Sequence, residues 1–168
     1  MENYISNVIP HLQAWWSVII TLAYLVGVAF TIVAAVQAIS QKHRFNRSTA
    51  VWSFWAAVLL LNLPTLMDSL SMTVFNQSSE QSLSYTPPSH PGSVYLQFAV
   101  YGIMTVGVIG IARGISLLRD TPNQAMNMSR GIVHLFGGIL AVNIITFLRG
   151  IGATVGGDVQ SHITKIIG

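Results

Sequence analysis

The sequence of 168 residues contains no cysteine. Disulfides, thiolate nucleophiles and cysteine-based zinc sites are therefore excluded, and cysteine usage says nothing about redox compartment. Charge is almost as scarce. Asp, Glu, Lys and Arg make up 8% of the chain, against roughly 25% in an average globular protein. Eight basic and five acidic side chains cannot cover the surface of a soluble fold of this size. The composition thus excludes an ordinary cytosolic enzyme and a disordered chain. No Lys/Arg run is long enough to follow a nucleic-acid backbone, so direct nucleic-acid binding is not expected despite a net charge of +3. Phosphate-binding and dinucleotide fingerprints are missing. The five histidines (His11, His43, His90, His134, His162) are scattered, with no metal-ligand spacing. The expectation is no enzyme, no metal, and no cofactor other than bound phospholipid.

What the chain has is apolar length. Hydrophobic residues make up 52% of it. Four runs, 12–39, 49–67, 94–118 and 132–155, each approach or exceed the ~20 residues a helix needs to cross a bilayer. They are continuous, without the polar alternation of barrel strands, so helices are expected. The fold class is therefore all-α: an integral membrane protein of about four helices in antiparallel hairpins, one hydrophobic domain over 1–168. A Ser/Pro-rich polar loop is placed at 68–93 and a weakly amphipathic tail at 157–168. The first run is too long for a signal peptide's apolar core and follows Glu2 with no Lys or Arg, so it is read as uncleaved.

Basic residues orient the helices. Lys42, Arg44 and Arg47 follow the first run; Arg113, Arg119 and Arg130 lie at the end of the third run and in its connection to the fourth. Positive residues stay cytoplasmic, which puts both termini on the periplasmic side of a bacterial inner membrane. Glu2, Asp68, Glu80 and Asp158 then fall outside as well. Trp15, Trp16, Tyr95 and Tyr101 are expected as anchors at the outer interface, Trp52 and Trp55 at the inner one.

Polar residues inside the runs are few. Pro64 is expected to kink the second helix and free a carbonyl near Leu60. Asp68 reads as an interfacial acid where that helix ends. Asn62 and Asn143 read as interhelical hydrogen-bond donors. His134 reads as a capping or headgroup-facing residue. A small ion or solute transporter is the alternative of another class. It needs an intramembrane charge or broken helix around a site, and only Pro64, Asp68 and His134 suggest one.

The stronger pattern is glycine. The third run carries Gly107, Gly110 and Gly114; the fourth carries Gly137, Gly138, Gly152 and Gly156. Gly110/Gly114 and Gly152/Gly156 each have the spacing that lets membrane helices approach closely. Contact between the third and fourth helices and contact between subunits both fit. Arg-Gly-Ile occurs three times, at Arg113, Arg130 and Arg149. An arginine at membrane depth must snorkel, meet an acid, hold a lipid phosphate or face a wet lumen, and these three are the candidate lipid-binding residues.

The stretch Arg130-Gly131-Ile132-Val133-His134-Leu135-Phe136-Gly137-Gly138-Ile139-Leu140-Ala141-Val142-Asn143 resembles the small polytopic proteins of Dot/Icm-type and IncI-plasmid conjugation-type type IV secretion systems, the IcmC/DotE and TraQ group. The likeness is closest over the fourth helix. It implies a non-enzymatic structural subunit of a bacterial conjugation or secretion apparatus. Two mechanisms follow. One is a pilin-like subunit stored in the membrane and assembled into a lipid-containing extracellular helical pilus. The other is a resident inner-membrane channel or assembly subunit. Close-packing glycines and phosphate-ready arginines favour the first. Expected partners are other copies of the chain, membrane lipids and other subunits of the machine.

Overall fold

The computed structural model describes residues 2–39, 47–79 and 93–167. Lys42, His43 and Arg44 of the basic connection, and residues 80–92 with Glu80 and His90, lie outside the described residues. Every described element is helical: α1 Glu2–Ile39, α2 Arg47–Leu61, α3 Leu63–Phe75, α4 Ser93–Arg119, α5 Met126–Val142, α6 Ile144–Val155 and α7 Gly157–Ile167. Among the described residues α1 and α4 are each long and apolar enough to cross a membrane. The pairs α2–α3 and α5–α6 qualify when each is taken as one bent span.

The long helices form because nothing in them competes with the helical backbone. In α1, 38 residues run without a break, with Pro10 as the only proline. Its hydroxyls satisfy themselves locally: Thr21 donates to the Ser17 carbonyl at 2.7 Å and Thr31 to the Gly27 carbonyl at 3.0 Å. A hydroxyl that back-bonds one turn earlier adds no unsatisfied polar group to an apolar helix.

Both bent pairs turn by 82°, at Asn62 and at Asn143. The two bends share one construction. Each asparagine leaves helical geometry (φ −110, ψ 25 and φ −103, ψ 29). Each side-chain Nδ2 donates to the carbonyl four residues back, Val58 at 2.9 Å and Ile139 at 3.0 Å. Pro64, in the first turn of α3, lacks the N–H that would continue the ladder, so the expected kink is realised just upstream of it. The break in the fourth run, expected to be continuous over 132–155, has no proline behind it. Asn143 is fully buried, and its Nδ2 also donates to Ser71 Oγ of α3 at 2.8 Å. It is thus the interhelical donor expected. Asn62 is not: its described side-chain bond stays within its own helix.

Other boundaries also differ from expectation. The second run does not end at 67. Its helix continues to Phe75, where Asn76 closes it in the left-handed region (φ 52) and donates to the Met72 carbonyl. Asp68 therefore lies mid-helix and accepts from the Ser79 backbone N–H at 2.9 Å, folding the following segment back. The loop expected at 68–93 begins some residues later. The fourth helix starts at Met126 rather than 132, so His134 is well inside it, with Nδ1 2.8 Å from the Arg130 carbonyl oxygen.

The core has two ends. Leu60, Leu63, Met67, Val108, Ile111, Ile115, Ile139 and Val142 form one cluster. Trp16, Val100, Tyr101, Met104 and Ile145 form the other. Trp16 is buried rather than an interfacial anchor: Nε1 donates to Thr105 Oγ1 at 2.8 Å, and its ring meets Tyr101 edge-on at 5.3 Å. Tyr101, expected at the interface, is buried too. Trp15, Trp55 and Tyr95 are exposed. At the opposite end Arg119 lies 4.3 Å over the Phe30 ring and donates to Ser53 Oγ at 3.3 Å. These two pairings show that α1 and α4 run parallel.

Replacing Asn143 with Ala removes a buried donor and strands Ser71, and should cost about 1 kcal/mol. Asn62→Ala, at an exposed site, should cost clearly less. Unfolding by denaturant titration in detergent measures both. Equal losses would show that the Ser71 bond does not matter.

Candidate functional site: the glycine seam of α4 and α5

α4 and α5 run antiparallel and touch through backbone. A Cβ on Gly107 would lie 2.8 Å from the Gly138 carbonyl oxygen and 2.9 Å from the Val142 nitrogen. On Gly114 it would lie 2.8 Å from the Gly131 carbonyl oxygen, and on Gly138 2.6 Å from that of Gly107. No real Cβ sits so close to a backbone atom. The operative spacing is therefore seven residues on each helix, Gly107/Gly114 facing Gly138/Gly131. This is the seam period of a tight helix pair, where dispersion between backbones takes over from a hydrophobic drive that lipid would not supply.

The other predicted packing glycines behave differently. Gly110 has only ordinary contacts, its nearest neighbour at 3.5 Å, and Gly137 meets nothing within 4 Å. Gly152 does pack, against Ile163 of α7 at 3.0 Å. Gly156 does not. It adopts φ 70, Gly157 follows at φ 58, and the two turn α6 into α7. The pair Gly152/Gly156 is thus a contact followed by a turn. That conformation suits glycine because a Cβ would clash there.

Beside the seam lies an open apolar groove of about 230 Å³, lined by Val106, Gly110, Val133, His134, Gly137 and Ala141 among others. In an antiparallel pair, the residues preceding two facing contact glycines turn to the same side. Val106 and Gly137 precede Gly107 and Gly138, and both line the groove. Arg113 and Arg130 precede Gly114 and Gly131, and both are exposed. The two arginines therefore stand at one end of the groove. Arg149 is exposed on α6, beyond the bend at Asn143, and does not belong to this group. Among the described residues no three His, Asp or Glu side chains come together as a metal site.

No family model, curated protein or solved structure matches the chain.

One organising signal in the sequence lies outside the motifs read from it. The bent pairs correspond at a separation of 81 residues, Asn62 with Asn143. Around them Ser48 matches Ser129, Trp55 Phe136, Ala57 Gly138, Val58 Ile139, Leu59 Leu140 and Thr65 Thr146. The long helices correspond at 80, with Val26-Gly27-Val28 against Val106-Gly107-Val108. The packing agrees. A Cβ on Gly27 would lie 3.2 Å from the Leu61 nitrogen, and one on Gly107 2.9 Å from that of Val142, the equivalent residue. Both halves share one order of elements, a long helix followed by a bent pair.

Gly138→Ala should destabilise the protein by about 1–3 kcal/mol through overpacking against the α4 backbone. Gly137→Ala should be neutral or stabilising by up to about 1 kcal/mol, because glycine is a poor helix former and the site is open. Thermal unfolding of the two purified variants decides the matter, and the reverse ranking would refute the seam.

Proposed function

We propose that the chain is a structural subunit of a bacterial conjugation or type IV secretion apparatus, working by helix–helix assembly in the inner membrane and pilin-like in character. In this reading it is stored in the bilayer and assembled into a helical filament that retains phospholipid. The observation that carries it is the apolar surface left outside the fold. Among the described side chains of α1 only Ile9, Trp16, Ala23, Gly27 and Ala34 are buried, while Leu22, Leu25, Ile32 and Val36 are each more than half exposed. A surface of that kind requires lipid or other subunits against it. The glycine seam suits a close-packed assembly, although four spans exceed the usual pilin count. The likeness of 130–143 to the IcmC/DotE and TraQ group supplies the cellular setting.

Orientation follows the basic residues, with the Arg113–Arg130 end cytoplasmic and both termini periplasmic. There the two arginines hold lipid phosphate, to which a guanidinium can donate paired hydrogen bonds. A resident channel or assembly subunit of the same machine is the second reading. The two bent pairs favour it, because broken helices also line membrane passages.

Shearing cells and imaging the pelleted extracellular fraction, with the chain identified by mass spectrometry, tests the filament. The chain should be the main component of helical filaments; a chain confined to the inner membrane would contradict the pilin reading and leave the resident one. Separately, Arg113→Ala with Arg130→Ala should reduce phospholipid retained on purification severalfold. Unchanged lipid content would remove the phosphate role.

A further inference from the structure

We infer that Arg119, held between Phe30 and Ser53 at the end of α4, binds a phosphate group, carried by a phospholipid headgroup or by a free phosphoanion. The site is separate from the exposed Arg113–Arg130 pair, and the inference does not rest on the proposed apparatus.

The arginine is built into the fold. Its Nε donates to Ser53 Oγ at 3.3 Å, and its guanidinium carbon lies 4.3 Å from the centroid of the Phe30 ring. Ser53 is fully buried, and its own hydroxyl donates to Gln37 Oε1 at 3.4 Å. With that proton turned to Gln37, the Ser53 oxygen is left to accept from Arg119. Residues of α1 and α2 thus fix one side chain of α4. These contacts use the Nε–H and one face of the guanidinium. The Nη edge remains, and its paired N–H groups match two oxygens of a phosphate. Arg119 has no carboxylate partner among the described residues. Two residues on, the Thr121 hydroxyl oxygen is buried and has no hydrogen-bond partner among them either.

Depth makes the unpaired charge costly. Two contacts set the register of α1 on α4, Trp16 with Thr105 and Phe30 with Arg119, at the same sequence separation. From the level of Phe30, α1 continues to Ile39, about 13 Å further along its axis. That stretch carries Ile32, Val36 and Ile39, each more than half exposed. The part of α2 beside it, placed there by the Ser53–Gln37 bond, carries Val51, Phe54 and Trp55, exposed to a similar degree. The two helices therefore extend an apolar collar past Arg119, and such a collar requires hydrocarbon against it. Extending the arginine to the membrane surface would break its contacts with Phe30 and Ser53, and no described acid meets it. A phosphate satisfies the Nη edge with both contacts kept.

The full chain carrying Arg113→Ala and Arg130→Ala, purified in neutral detergent, is the background for the test, so the exposed pair contributes nothing. Affinity is read from the rise of melting temperature with ligand concentration. The probes are phosphatidylglycerol, diacylglycerol with the same acyl chains, and inorganic phosphate against chloride at equal ionic strength. Phosphatidylglycerol should give a saturable rise and diacylglycerol none. Arg119→Gln should weaken the apparent Kd roughly tenfold or more. Arg119→Lys, which keeps the charge and loses the paired donors, should weaken it severalfold. Lys165→Gln, which removes a charge from α7, should leave it unchanged. A saturable rise with inorganic phosphate, lost in Arg119→Gln, would show that a free phosphoanion suffices; a rise with phosphatidylglycerol alone would assign the site to a lipid headgroup. No saturable rise with either phosphate probe, an equal rise with diacylglycerol, or an unchanged Kd in Arg119→Gln would overturn the proposal. If Arg119→Gln does not recover native helix content, an unchanged Kd in Arg119→Lys overturns it alone. The result is independent of whether extracellular filaments are found and of whether Arg113 and Arg130 retain lipid.

Discussion

The rest of the structure depends on one contact, the backbone-to-backbone approach of α4 and α5 at Gly107, Gly114, Gly131 and Gly138. In water, burial of apolar surface would press two such helices together. In hydrocarbon that drive is missing, and what remains is dispersion, which decays steeply with any gap. Removing four side chains closes the gap. It also fixes the helices in rotation and along their axes, since each glycine lies against the backbone of a glycine on the other helix. From that pair follow the buried position of α4 against α1 and α2, the turn 120–125, and the placing of Asn143 where it reaches Ser71.

The 82° bends answer a second constraint. An asparagine in an apolar helix needs partners for its amide, and both Asn62 and Asn143 take the carbonyl four residues back. That bond caps the end of one helical segment and lets the next leave at a steep angle. Proline assists at the first bend. At the second, a hydrogen bond that Asn143 donates to Ser71 of another helix takes its place. The fold thus makes the same bend twice in different surroundings.

Much of this was legible in the residues. All-helical architecture follows from continuous apolar runs, and the glycine-rich character of the third and fourth runs indicates close packing. The spacing that matters was harder to see. Gly110 and Gly114 sit four apart and suggest the familiar small-residue pair, yet only Gly114 enters the tight contact, and it is paired with Gly107. Helices that are apolar all round give no periodic signal of which face is buried. For that reason Trp16 and Tyr101 read as interfacial anchors when they are core. The bend at Asn143 was invisible because its second partner, Ser71, is 72 residues away in sequence. The correspondence of the two bends, Asn62 with Asn143, is present in the letters. Gly-for-Ala exchange at the seam and a one-residue difference in the connection make the correspondence faint.

At the seam glycines α4 and α5 meet backbone to backbone. A cryo-electron microscopy map of the protein in lipid, resolving these helix axes, tests it most directly. The account predicts an interaxial separation at the Gly107–Gly138 and Gly114–Gly131 crossings clearly below the usual ~8–10 Å of packed helices. A separation of the usual size, with side chains or acyl chains between the two backbones, would contradict it.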